Sequence, residues 1–134
     1  MKKLLYSALT LFICFSGYKS YSQVSRIPYY DNINFGSSFF VIAETNENSD
    51  FYAVDLNKLG SEFEKAWFIS SAFREQKIVR IDAGNNNIAW FRSKKVFTQT
   101  ETAQLLLSLK QQAATTAAAM TETQKNEWLN SNGK

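Results

Sequence analysis

The chain has 134 residues, with 15 Lys and Arg, 12 Asp and Glu, a single cysteine and no histidine. The missing histidine excludes a Ser-His-Asp triad, a Cys-His dyad and the usual His/Cys zinc site. Gly36, Gly60 and Gly84 stand too far apart to form a phosphate-cradling loop.

Residues 1–22 carry the three-part pattern of an export signal. Lys2 and Lys3 form a positive start, residues 4–15 are mostly apolar, and Ser20 and Ser22 supply small side chains at the −3 and −1 positions of a cleavage site. The apolar run is shorter than the roughly 20 residues a membrane span requires. Cys14 offers an alternative as the lipid-bearing residue of a lipoprotein, but the large Ile13 stands where that reading wants a small residue. The expectation is an exported protein, periplasmic or secreted, that begins at Gln23 and has no membrane span. Lys2, Lys3 and Lys19 leave with the signal, so the basic residues fall from 15 to 12 and balance the 12 acids. A neutral processed chain argues against a nucleic-acid partner. Cys14 also leaves, so stability must come from packing rather than from a disulfide.

Residues 23–38 are polar and aromatic and read as an extended lead-in to one domain over 39–134. Residues 39–45 are rich in aromatic and β-branched side chains and predict a strand. Its two faces are both apolar, Phe39, Val41 and Ala43 on one and Phe40 and Ile42 on the other, which predicts a central or doubly covered position. A turn-rich link leads to a second strand at 51–56, closing a hairpin. Ser61 and Glu64 have the spacing of a capping box and predict a helix that ends near Glu75. Its expected apolar face is Phe63, Ala66, Trp67, Ser70 and Phe73. Residues 77–83 and 88–97 predict a second hairpin about the turn at 84–87. Thr98 and Glu101 open a long helix whose leucines at 105, 106, 107 and 109 cover much of its circumference. Alanines and Thr115-Thr116 after Gln111 predict a weaker continuation. Thr121 and Gln124 cap a short terminal helix carrying Trp128 and Leu129. The order is ββαββαα, which predicts an α+β fold: a small four-stranded, mainly antiparallel sheet with helices packed on one face.

Four segments have binding chemistry. The loop at 44–50 offers Glu44, Glu47 and Asp50 as oxygen ligands for calcium, although the spacing does not match the known calcium loop. Asp82 with Asn85, Asn86 and Asn87 is also oxygen-rich, as hairpin turns commonly are. Trp90, Arg92 and Lys94 alternate onto one face of their strand, an arrangement that stacks on and neutralises a ligand or guards a sheet edge. Tyr29 and Tyr30 beside Pro28 have the character of a binding surface, or of a segment pinned to the domain. Trp128 is an anchor-type residue in a segment otherwise poor in large side chains. Carboxylate-only catalysis is the one enzymatic route left, with Asp55, Glu62, Glu64, Glu75 and Asp82 available and none marked as perturbed. The expectation is a non-enzymatic binding protein with no cofactor and a protein partner, of inhibitor or immunity type in one form. The alternative is a small-ligand or glycan binder, or a carboxylate-dependent hydrolase acting on envelope sugars.

Overall fold

The computed structural model of the chain describes residues 33–75, 78–83 and 87–132. The expected export signal at 1–22, Tyr29 and Tyr30, and the turn residues Asn85 and Asn86 lie outside the described residues. The elements are β1 (Phe40–Thr45), β2 (Ser49–Asp55), a 3-10 turn (Leu56–Lys58), α1 (Glu62–Arg74), β3 (Ile78–Ala83), β4 (Ile88–Lys94), α2 (Gln99–Ala119) and α3 (Glu122–Asn132). They form one α+β domain in the expected ββαββαα order. Among the described residues, no helix is long and apolar enough to cross a membrane.

The sheet is antiparallel throughout, in the order β1-β2-β4-β3. The two hairpins therefore meet through β2 and β4. This corrects the placement of β1, which is an edge strand rather than a central one, and its Ile42 is 41% exposed. Two apolar faces did not make it central because, among the described residues, no strand lies on its outer flank. The central strands, β2 and β4, are the ones buried on both sides, and in β2 Ser49 through Val54 are all buried. Tyr52, Val54, Ala89 and Phe91 point into the core beneath the helices. Phe51, Ala53 and Trp90, one residue out of step, lie on the opposite face and are also buried. A register shift between Ile42 and Glu44 marks a bulge in β1, and another lies between Arg80 and Asp82 in β3.

Each helix starts where its cap residue says. Ser61 Oγ accepts the Glu64 backbone N–H at 3.2 Å. The Glu64 carboxylate returns one residue early, accepting from Gly60 N at 3.0 Å. Gly60 is fitted to this approach, since a Cβ there would stand 2.8 Å from Glu64 Oε1. Thr98 and Glu101 form a complete reciprocal box. Thr121 and Gln124 do the same for α3, at 2.9 and 3.2 Å.

The buried side of α1 differs from the simple stripe expected. Phe68 and Ala72 face the sheet, Phe63 faces α3, and Phe73 is 65% exposed. The helix is covered from two directions, so one 3.6-residue stripe does not describe it. The ring of Phe68 meets Phe39 at 5.3 Å and Phe91 at 6.0 Å, both edge-on. In α2 the buried stripe is Thr102, Leu106, Leu109, Ala113 and Ala117, one line along the whole helix. Leu107, expected inside, is half exposed. Thr115 and Thr116 do not interrupt α2, because Ala113 and Ala117 continue its packed side.

Candidate functional site

The chemistry-bearing side chains gather at one end of the helix-covered sheet face. Alternation along β2 puts Asp50 and Tyr52 on this face, and Ser93 stands directly across from Asp50 on β4. Thr102, in the first turns of α2, comes down onto the same spot. Asp50, Ser93 and Thr102 are 3% exposed or less, and Tyr52 is fully buried. Ser93 Oγ and Thr102 Oγ1 share a hydrogen bond of 2.9 Å, and Thr102 Oγ1 also donates to the Thr98 carbonyl at 3.3 Å. Thr45 Oγ1 donates to Asp50 Oδ1 at 2.9 Å, with Lys95 Nζ at 4.0 Å from the same oxygen.

The Tyr52 hydroxyl is the uncompensated member of this group. It lies beside Thr102, yet among the described residues it makes no hydrogen bond. Burial, reinforced by the Asp50 carboxylate, pushes it above its ordinary value of 10.0, and Thr102 acts weakly the other way. The group can hold β2, β4 and α2 in register. The Ser93 and Thr102 hydroxyls are spent on each other and on the Thr98 carbonyl beneath α2, so they have the surroundings of structural residues rather than of activated nucleophiles.

Sequence reasoning named Asp50 only as a loop ligand and missed Tyr52, Ser93 and Thr102. The legible signal was the two-residue spacing of Asp50, Tyr52 and Val54. Asp50 belongs to β2 rather than to the loop, and its carboxylate is turned inward to Thr45. Glu44 and Glu47 are exposed. The loop itself is an Asx turn in which Asn46 Oδ1 accepts from the Asn48 and Ser49 backbone N–H groups, each at 2.9 Å. Glu44, Glu47 and Asp50 are therefore not brought together, and among the described residues no three metal-ligating side chains converge.

Trp90, Arg92 and Lys94 do share one face, the one away from the helices. Trp90 pairs across to Ala53 and is 3% exposed, which removes it as an open stacking platform. Arg92 pairs across to Phe51 and is half-buried, and among the described residues its Nε has no hydrogen-bond partner. Lys94 reaches the surface. Trp128 is not a free anchor either. Its ring meets Phe63 edge-on at 5.2 Å and docks α3, a helix with no fully buried residue, against α1. Of the oxygen-rich turn, Asn87 is exposed and left-handed, with φ 58°, as asparagine tolerates.

No protein-family model matches the chain, and neither the curated proteins nor the solved structures give a match.

Proposed function

We propose that the chain is an exported, non-enzymatic binding protein of the cell envelope or exterior, with another protein as its partner; an inhibitor or immunity protein is one concrete form. The observation that carries this reading is where the large apolar side chains stand. Phe73, Val96, Leu107 and Ile42 are 65, 77, 50 and 41% exposed on a domain whose core is otherwise closed. A partner that covers such side chains gains free energy from the apolar area it removes from water. The Asp50 cluster supports the same reading from the other side, because its groups are turned inward, with Asp50 bonded to Thr45 and Ser93 bonded to Thr102. The export pattern of residues 1–22 and the charge balance of the remaining chain supply the compartment and argue against a polyanionic partner.

The test is affinity capture with the processed, tagged chain from its own envelope and medium fractions, run beside a glycan array. One dominant protein, retained in proportion to the bait, supports the proposal. A glycan hit with no protein retained replaces it with the sugar-binding alternative.

A further inference from the structure

The outer edge of β1 combines three features that independently favour an added strand. First, among the described residues no strand pairs with this edge, so its outward N–H and C=O groups lack sheet partners. Second, Phe40–Thr45 reads FVIAET and contains no Lys, Arg or Pro, the residues that normally guard an exposed edge. The bulge between Ile42 and Glu44 and the charge of Glu44 are its guards, and the bulge leaves regular pairing on either side. Third, the surroundings of the edge are apolar at one end and acidic at the other. Ile42 pairs with Tyr52 and so faces the helix layer, where it is 41% exposed. Lys110 Nζ lies 5.0 Å over the ring of Phe39, just before β1, which brings α2 along this side of the sheet. Leu107, half exposed, precedes Lys110 by one turn and shares that flank of α2. At the far end of β1, Glu44 and Glu47 are exposed, and among the described residues no ion pair is made by either; Lys94 and Lys95 stand on the inner side of the same loop, where Lys95 is directed to Asp50.

We infer that the edge of β1 is the docking edge for an extended, basic segment of the protein partner, which adds to the sheet as a fifth strand. This rests on the proposal of a protein partner and specifies its recognised segment. Main-chain hydrogen bonds to β1 supply a sequence-independent part of the affinity. Specificity comes from alternate side chains: an apolar residue meets Ile42 and Leu107, and a Lys or Arg meets Glu44 and Glu47. A β-hairpin edge without those acids would accept neutral or acidic segments as readily. This one discriminates, because a carboxylate brought beside two unpaired glutamates is repelled.

The probe is a phage-displayed library of random dodecapeptides, selected on the full processed chain. Enrichment of peptides that alternate apolar and polar residues and carry surplus Lys or Arg supports the inference. So does a loss of at least tenfold in their binding to the double variant Glu44→Lys/Glu47→Lys, together with slowed amide exchange confined to β1 and its neighbour when an enriched peptide is added. A thermal melt confirms that the variant is folded. Ile42→Lys, at a half-exposed site, serves in its place if it is not. The inference is overturned if nothing is enriched, if the enriched peptides are acidic or lack alternation, or if they bind the variant unchanged. It is also overturned if the chain instead pairs with a second copy through β1, seen as a dimer in light scattering. A protein from the affinity capture that binds the double variant as well as the parent overturns the edge alone and leaves the protein-partner proposal standing.

Discussion

Replacing Phe68 and Phe73 in turn separates the observed packing of α1 from the simple helical stripe. The two residues are five positions apart in one helix and are chemically identical. Phe68 is fully buried and meets Phe39 and Phe91 edge-on at 5.3 and 6.0 Å, whereas Phe73 is 65% exposed. Phe68→Ala removes a buried ring and leaves a cavity, which costs about 3–5 kcal/mol. The two edge-on contacts, worth about 0.5–1.5 kcal/mol each beyond their area, place it toward the upper end. Phe73→Ala should stay within about 0.5 kcal/mol, as surface changes do. Urea titration of the processed chain, followed by far-ultraviolet circular dichroism, reads the difference. With a slope of about 1–1.5 kcal/mol per molar, Phe68→Ala moves the midpoint down by about 2–5 M. If that abolishes folding, Phe68→Leu keeps most of the volume and should cost about 1–2 kcal/mol. Equal shifts for the Phe68 and Phe73 variants, or a larger one for Phe73, would refute this packing of α1.

Tyr52→Phe removes a buried hydroxyl that has no hydrogen-bond partner, so it should be neutral or stabilise by up to about 1–2 kcal/mol in the same titration. The Tyr52 hydroxyl is held above its unfolded value of 10.0, so its contribution is fully present below pH 10 and is lost as pH rises above that value. Tyr52→Phe should therefore soften the alkaline fall in stability, and an unchanged alkaline profile would count against the burial described. Ser61→Ala removes the bond to the Glu64 N–H and should cost about 0.5–2 kcal/mol, whereas a residue outside a helix cap would give a near-neutral result. Trp128→Ala removes the aromatic contact that docks α3 on Phe63, and amide exchange in 122–132 should accelerate while 102–117 stays protected. Uniform acceleration through α2 would show that the two helices open as one unit.

The secondary structure was legible because its signals are local. Ser61, Thr98 and Thr121 announce helix starts through hydrogen bonds made within four residues, and all three cap as expected. Strand order was not legible, since nothing within the apolar residues of β1 says whether another strand lies beyond them. The same limit explains α1 and α2. Which of Phe68 and Phe73, or of Leu106 and Leu107, turns inward depends on Phe39, Phe91 and the sheet, which are distant in sequence. The Asp50 cluster was hidden for a related reason. Asp50, Ser93 and Thr102 look like ordinary loop, strand and helix residues until the β2–β4 register and the docking of α2 bring them together. Alternation did place Trp90, Arg92 and Lys94 on one face correctly, but it carries no information on which face is covered.

The most direct measurement of the binding proposal is native mass spectrometry of the protein released gently from the envelope or the medium of cells that produce it. The account predicts a chain that starts at Gln23 and flies in a complex with a second, different polypeptide at fixed stoichiometry. A chain that retains Met1, or a processed chain found only alone, as a homodimer or with a bound sugar, would contradict it.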